Sequence, residues 1–162
     1  MKKLSELEIV KAILKKPWGE DKGIFTNAIV GMELARCDAG VLTAVVAHLN
    51  LAMYTMELYA SDEQKAKYYP KMMSFETLAG WGLTERDVGS DASSLQTLVT
   101  PSQGGFVLNG NKRWIGNSNG HIMTVWARNS ETKKIQCFIV PLDSKGVSIK
   151  IIKNKLPLRI VQ

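Results

Sequence analysis

The chain contains 162 residues, of which 45% are hydrophobic and 22% charged, a composition typical of one globular unit with a sizeable core. Its formal net charge is +6, and the excess lies in the second half: residues 1–76 carry ten basic and ten acidic side chains, whereas residues 77–162 carry eleven and five. Most of these eleven are expected to be solvated, although their excess also attracts small anions. They are scattered and accompany no recognition motif, which excludes nucleic acid as the expected partner.

The first part of the chain predicts about four helices. Apolar residues recur at helical spacing over residues 4–14 and 24–35, and strand alternation is absent. A further helix is expected after Asp38, and Ser61 followed by Gln64 indicates a capping box that opens the last one. Residues 1–76 are therefore expected to form a helical domain.

The stretch over residues 39–56 contains no Asp, Glu, Lys or Arg, which raises the question of a membrane span. It also holds polar side chains, among them Thr43, His48 and Asn50. A helix buried in a protein core fits this composition better than one that faces lipid, so no membrane span is predicted. His48 is expected to be a hydrogen-bonded core histidine and His121 a solvated turn residue.

After residue 77 the sequence changes to short β-rich runs divided by turn residues. Asn109-Gly110 indicates a tight hairpin turn, because both central residues of such a turn need positive φ. Helices followed by antiparallel strands indicate an α+β fold, with a small barrel or sandwich over residues 77–162. The strands are predicted near residues 95–99, 106–108, 122–127, 135–140 and 147–152.

Two segments carry the strongest functional signal. Residues 81–93 read WGLTERDVGSDAS, and residues 112–118 read KRWIGNS. Together they resemble the flavin-binding signature of the acyl-CoA dehydrogenase and acyl-CoA oxidase family. The sequences of the two motifs most closely resemble those of the peroxisomal short-chain acyl-CoA oxidases and the glutaryl-CoA dehydrogenases. The resemblance extends from about Gly31 to the last residue.

The resemblance implies FAD as the cofactor and acyl-CoA as the substrate. The backbone groups of Leu83 and Thr84 would lie along the pyrimidine edge of the flavin, and the Ser90 hydroxyl would reach the pyrophosphate or the CoA. Trp114 would cover the isoalloxazine ring and exclude water from it. The other residues assigned to the cofactor on the same grounds are Trp81, Gly89, Ile115 and Gly116.

Three positions in these motifs leave alternatives open. A tryptophan such as Trp114 in a strand usually belongs to the core, although the matching flanks favour the flavin-facing role. The family often has Pro where Arg86 stands, so Arg86 either loosens the turn or adds a phosphate contact. It also often has Thr where Gly116 stands; the Gly form resembles the oxidase-type branch and would leave only backbone to contact flavin N5.

No catalytic residue is assigned within the chain. The resemblance implies that the base is a glutamate of a C-terminal four-helix domain, which is expected to be absent from these 162 residues and to leave both present domains partial. Glu33 and Glu57 are therefore not assigned as bases, and Glu85 matches a motif position whose role is loop architecture. No metal-ligand cluster is predicted.

Two functions are expected from this reading. The first is FAD-dependent oxidation of a short-chain acyl-CoA to the 2-enoyl-CoA, by the chain as part of a longer or assembled enzyme. The second is a non-catalytic fragment or subunit that keeps the family fold for assembly. The expected partners are acyl-CoA and either further copies of the chain or the missing C-terminal domain or partner subunit.

An intracellular location is expected, either peroxisomal or mitochondrial. The two cysteines show no CxxC spacing, which indicates a reducing compartment. The first eight residues mix acidic and basic side chains, so no secretory or transit peptide is predicted there. A peroxisomal address would lie beyond Gln162.

Overall fold

The computed structural model describes residues 2–159 and 161, and for Lys2 the backbone alone. Helices come first along the chain and strands second, so the predicted α+β class is confirmed. The helical part consists of α1 (Lys2–Ser5), α2 (Ile9–Ile13), α3 (Gly23–Cys37), α4 (Ala39–Val46), a π-helical segment (Ala47–Met53), α5 (Tyr54–Tyr59) and α6 (Asp62–Met73). The first predicted helix is interrupted, because Glu8 adopts a positive φ of 53° between α1 and α2.

The central helix of this part is the continuous run Ala39–Tyr59, made of α4, the π-helical segment and α5. The Asp38 carboxylate caps its start by accepting from the Val41 N–H at 2.9 Å. The run is long and apolar enough to cross a membrane, but 56% of its apolar 18-residue window is buried inside the protein. Because Ala52 and Met53 are fully buried among the other helices, we interpret it as a core helix.

Helix α6 begins with the predicted capping box. The Ser61 hydroxyl accepts from the Gln64 N–H at 3.2 Å, and the Gln64 side chain accepts from the Ser61 N–H at 3.0 Å. Further along the helix, the buried Tyr69 hydroxyl donates to Met53 O at 3.2 Å and to the Glu57 carboxylate at 3.0 Å. These bonds attach α6 to the central helix.

The sheet contains β1 (Ala79–Gly82), β2 (Leu98–Ser102), β3 (Gly105–Asn109), β4 (Ile122–Asn129) and β5 (Ile135–Pro141). Strand β4 is central, and β5 pairs with one of its edges. Its other edge pairs first with β1, where Ala79 lies opposite Ile122, and then with β2, where Leu98 lies opposite Arg128. Strand β3 extends the sheet beyond β2.

The expectation of purely antiparallel strands needs correction. The pairs β2–β3 and β4–β5 are antiparallel, whereas β1 and β2 both run parallel to β4. Parallel neighbours are joined by long crossovers. The turn residues of a sequence indicate local hairpins and give no information about such distant partners.

Three local expectations in the sheet region were also wrong. Residues 147–152 form no strand, and Ile149 and Ile151 are exposed. Strand β2 begins only at Leu98, because the N–H groups before it donate to a side chain, as described below. Asn109-Gly110 makes no hairpin: the β2–β3 turn lies at Gly104, which has φ +82°. Gly110 instead allows close packing, since an added Cβ would lie 2.3 Å from Thr97 Oγ1.

The helical part and the sheet meet along β1. The Ala79 N–H donates to Nδ1 of the fully buried His48 at 3.0 Å, so Nε2–H of the same ring donates to Met72 O at 3.0 Å. Burial lowers the pKa of His48 to about 4, although the Met72 bond opposes the shift. The predicted hydrogen-bonded core histidine is confirmed, and it joins the helices to the sheet. His121 is exposed, as predicted, and its Nδ1 accepts from the Leu78 N–H.

Candidate functional site

The first predicted flavin segment begins in the last residues of β1 and continues into the loop that follows the strand. Leu83 and Thr84 are half-buried directly after the strand, while Gly89 and Ser90 are exposed in the loop that follows. A short 3₁₀ turn, Ala92–Ser94, closes this loop. Hydrogen bonds from the Ser93 and Ser94 hydroxyls hold the pKa of the Asp91 carboxyl below its usual value, so the turn carries a fixed negative charge.

The second segment follows β3, and its tryptophan is on the surface. Trp114 is 60% exposed, and the Arg113 guanidinium lies over its ring at 4.7 Å from the centroid. Trp114 also has a φ of 61°, a conformation that is a genuine outlier for a bulky residue and is concentrated at functional sites. The core interpretation of Trp114 is therefore wrong.

Direct hydrogen bonds hold the two segments side by side. The Arg113 N–H donates to Thr84 O at 2.8 Å, and Lys112 Nζ donates to Leu83 O at 3.0 Å. The two carbonyl groups expected to face a flavin are thus already engaged. Within the described part of the chain, the N–H groups of Leu83 and Thr84 have no hydrogen-bond partner. Two unpaired backbone donors therefore lie in the segment whose carbonyl groups are hydrogen-bonded to Lys112 and Arg113.

Glu85 directly follows these two donors in the chain and is 7% exposed. Its carboxylate accepts from the N–H groups of Gln96 at 2.6 Å and Thr97 at 2.9 Å, from the Thr97 hydroxyl, and from Lys112 Nζ at 2.7 Å. Burial alone would raise the pKa of Glu85, but these bonds outweigh it and lower the pKa to about 2. Burial also lowers the pKa of Lys112, and the Glu85 charge only partly opposes this effect. Sequence reasoning missed the pair, because its members are 27 residues apart.

Gly116 and Trp81 lie against the helical part. An added Cβ on Gly116 would be 3.0 Å from Val161 Cγ1 and 3.4 Å from Ala47 Cβ, so a larger residue there would require the Val161 side chain to shift by a few tenths of an ångström. The half-buried Trp81 donates from its indole N–H to Thr55 Oγ1 at 3.0 Å. Both residues anchor the site to the central helix. The neighbouring Ile115 is half-buried.

Asn117 is a further residue that the sequence motifs did not single out. It is 3% exposed, has a φ of 59°, and donates from its side-chain amide to Ala44 O at 2.8 Å and Ala79 O at 3.1 Å. It therefore fixes the end of the Trp114 segment between α4 and β1. Asparagine is among the residues that tolerate left-handed backbone, which is the signal that marks it.

Arg86 lines an open groove of about 450 Å³ on the other side of Glu85. The groove is polar, so a phosphate contact and a loosened turn both remain compatible with Arg86. Among the described residues, no group of three or more His, Cys, Asp or Glu side chains is placed to hold a metal ion. The site therefore offers backbone donors, an aromatic face and basic side chains.

Two family models match the chain: the acyl-CoA dehydrogenase N-terminal domain over residues 1–76, and the acyl-CoA dehydrogenase middle domain over residues 80–162. The chain belongs to the acyl-CoA dehydrogenase family. It is 37% identical over 131 residues to the human mitochondrial very long-chain specific acyl-CoA dehydrogenase, covering 74% of this chain and 19% of that protein. It is 32% identical to the mitochondrial isovaleryl-CoA dehydrogenase of Solanum tuberosum, covering 85% and 34%.

Solved structures of acyl-CoA dehydrogenases have the same fold. A glutaryl-CoA dehydrogenase from Mycobacterium smegmatis superimposes with a TM-score of 0.91 at 35% identity, covering 99% of this chain and 41% of that one. An acyl-CoA dehydrogenase from Bacillus anthracis in complex with FAD gives 0.87 at 30% identity, covering 99% and 28%. The chain spans between 19% and 36% of the length of the curated relatives reported for it.

Proposed function

We propose that this chain supplies the flavin-facing part of an FAD-dependent acyl-CoA dehydrogenase that oxidises a short-chain acyl-CoA to the 2-enoyl-CoA. The observation that carries the proposal is the pair of unpaired N–H groups of Leu83 and Thr84, in a segment that is hydrogen-bonded to the segment of the exposed Trp114. Buried or half-buried N–H groups normally have partners, so two unpaired donors and an exposed aromatic ring on two joined segments fit a planar ligand with acceptor carbonyls. Solved relatives in complex with FAD or FADH2 support FAD as that ligand.

Each residue of the site has a defined proposed role. The N–H groups of Leu83 and Thr84 donate to the carbonyls of the flavin's pyrimidine ring. Trp114 stacks over the isoalloxazine and excludes water, and the Ser90 hydroxyl binds the pyrophosphate or the CoA phosphates. When bound, FAD supplies acceptance of a hydride at N5. The remaining proposed contacts are those of Trp81, Gly89, Ile115 and Gly116.

The α-proton of the substrate needs a base, and Glu33, Glu57 and Glu85 are poor candidates. The Glu85 carboxylate is ionised and saturated by hydrogen bonds. Glu57 accepts from Tyr69, and Glu33 lies on the exposed surface of α3 beside Arg36 at 3.3 Å. We therefore place the base outside these residues, in the rest of an assembled enzyme.

The test is a fluorescence titration of FAD into the chain, followed by anaerobic mixing of the assembled enzyme with acyl-CoA. The relatives carry names from isobutyryl-CoA to very long-chain acyl-CoA dehydrogenase, so the panel spans acyl chains of all lengths. Bleaching of the yellow flavin by butyryl- or glutaryl-CoA supports the short-chain proposal. FAD binding without bleaching by any acyl-CoA would refute it, and bleaching only by long chains would refute the substrate class.

The second candidate function is a non-catalytic subunit that keeps the fold for assembly. Its support is the apolar surface of α3, where large side chains are 62–82% exposed: Ile24, Phe25, Ile29 and Met32. Soluble monomers rarely expose such contiguous patches, so further copies of the chain or another subunit would cover it. Size measurement by light scattering decides: an oligomer or stable hetero-complex supports assembly, and a flavin-free monomer contradicts it.

We also propose the division of the chain at residues 76 and 77 and an intracellular location. The two curated relatives reported above are named mitochondrial, which supports an intracellular location; the mitochondrial and the peroxisomal location both stay proposals. Fluorescence microscopy of the tagged protein in its own cells tests this. The oxidase form suggested by Gly116 stays a prediction, which is tested by the rate at which oxygen reoxidises the reduced flavin.

A further inference from the structure

Glu85 and Lys112 form a buried ion pair that the proposed flavin contacts do not use directly. The N–O distance is 2.7 Å, and the two side chains are only 6% and 9% exposed. Burying two charges is costly unless their remaining hydrogen-bonding capacity is satisfied in good geometry. In this pair it is, because the Glu85 carboxylate also binds Gln96 and Thr97, and Lys112 Nζ also binds Leu83 O.

These bonds join three segments that are far apart in sequence. Glu85 belongs to the first flavin segment, Thr97 precedes β2, and Lys112 opens the second flavin segment. The packing of Gly110 against Thr97 brings the third segment close, since even a Cβ at Gly110 would collide with the Thr97 side chain. The ion pair is therefore the junction of the region that carries the proposed site.

Lys112 acts on one peptide unit in particular. Its Nζ holds the carbonyl of Leu83, and that carbonyl belongs to the same planar unit as the N–H of Thr84. In a trans peptide the C=O and N–H groups point in opposite directions. Anchoring the Leu83 oxygen on the Lys112 side therefore directs the Thr84 N–H away from Lys112, where it has no partner among the described residues. The Arg113 N–H holds the next carbonyl, that of Thr84, in the same manner.

We propose that the Glu85–Lys112 pair is a positioning element for the flavin: it orients the Leu83–Thr84 peptide so that the Thr84 N–H donates to a pyrimidine carbonyl. The inference rests on the FAD site proposed above and adds residues that do not themselves touch the cofactor. It gives a role to the buried charge pair at this junction, because a pair of apolar side chains could not bind the Leu83 carbonyl.

The test compares Lys112→Met with a matched control, Lys65→Met. Lys65 is also a mostly buried lysine beside a glutamate, Glu57, and donates to a backbone carbonyl at 3.0 Å, but it lies in the helical part. FAD binding is measured by fluorescence titration, and hydrogen bonding to the flavin by the infrared carbonyl bands of bound FAD. For Lys112→Met we expect about tenfold weaker FAD binding, which corresponds to the loss of one well-placed hydrogen bond. We also expect the infrared carbonyl band of bound FAD to shift to higher frequency. Lys65→Met should match the wild-type protein in both.

The double variant Glu85→Gln/Lys112→Met covers the case in which an unpaired Glu85 prevents folding. It keeps the net charge and the side-chain volumes, so it is expected to fold while still lacking the bond to Leu83 O. Weakened FAD binding with the shifted band in either folded variant supports the inference. Wild-type affinity and an unmoved band in a folded variant would overturn it and leave the FAD site intact. No FAD binding by the wild-type chain would overturn the proposed function together with this inference.

Discussion

Polar groups are hydrogen-bonded within the protein at the junction between the helices and the sheet. In the neighbouring flavin segments, several polar groups have no partner among the described residues. At the junction, the ring nitrogens of His48 and the side-chain amide of Asn117 all have partners inside the protein. A few residues away, the N–H groups of Leu83 and Thr84 have none within the described chain, and Trp114 is exposed on a strained backbone. The hydrogen-bonded polar groups of the junction stabilise the fold, and the unpaired groups of the flavin segments are available to a ligand.

The contrast is clearest because both regions use the same strand. Ala79 at the start of β1 donates to a buried side chain, whereas Leu83 and Thr84, directly after its end, donate to nothing described in the chain. The free energy of folding should therefore depend strongly on the first region and weakly on the second. Cofactor affinity should show the reverse dependence.

The largest expected effect is on stability at the junction. His48→Ala leaves the Ala79 N–H and Met72 carbonyl buried without partners and opens a cavity, so it should lower the free energy of unfolding by about 3–5 kcal/mol. His121→Ala is the matched control, because that imidazole accepts from the adjacent Leu78 N–H but is exposed, and water can replace it. Urea denaturation measures both. An equal decrease in the free energy of unfolding for the two variants would contradict the claim that the buried histidine contributes more to stability than the exposed one.

The next effect is the pH dependence of the free energy of unfolding, to which His48 contributes. The pKa of His48 is lowered from 6.5 to about 4 in the folded protein, so the unfolded chain binds a proton in this range that the folded chain does not. The stabilisation is fully present above pH 6.5 and is lost as the pH falls toward 4, by roughly 3 kcal/mol in total. Urea denaturation between pH 7 and 4 measures it. Subtracting the same series for His48→Ala isolates the contribution, and parallel curves would refute the assignment.

The third effect is on binding at the open site. Trp114→Ala should weaken FAD binding by roughly 1–3 kcal/mol if the ring stacks on the isoalloxazine. The free energy of unfolding should change little, because Trp114 is already 60% exposed. Phe106→Ala serves as control, since Phe106 is 57% exposed on β3 and is not part of the proposed site. A fluorescence titration of FAD compares them, and equal affinity for both variants would remove Trp114 from the site.

The sequence predicted features that depend on neighbours along the chain. The capping box of Ser61 and Gln64 and the core role of His48 were both recognisable from local pattern. The family was recognisable as well, because its two motifs are continuous runs of residues. Local chemistry was sufficient in each of these cases.

Features that depend on distant partners were not predictable in the same way. The parallel pairing of β1 with β4 joins segments about 40 residues apart, and β-propensity does not identify the partner of a strand. Nothing in the spacing of Glu85 and Lys112 indicated their ion pair. The pattern over residues 147–152 was also misleading, because alternation predicts which side chains share a face and does not supply a neighbouring strand.

The central claim is that the unpaired N–H groups of Leu83 and Thr84 bind FAD. The most direct test of it is amide hydrogen exchange with and without saturating FAD. The account predicts that exchange at the Leu83 and Thr84 amides slows markedly on FAD binding, because both gain an acceptor. The Ala79 amide should change little, since it already donates to His48. Slowed exchange at Leu83 and Thr84 alone would support the flavin-edge assignment. Unchanged exchange at both in the FAD-saturated protein would contradict it.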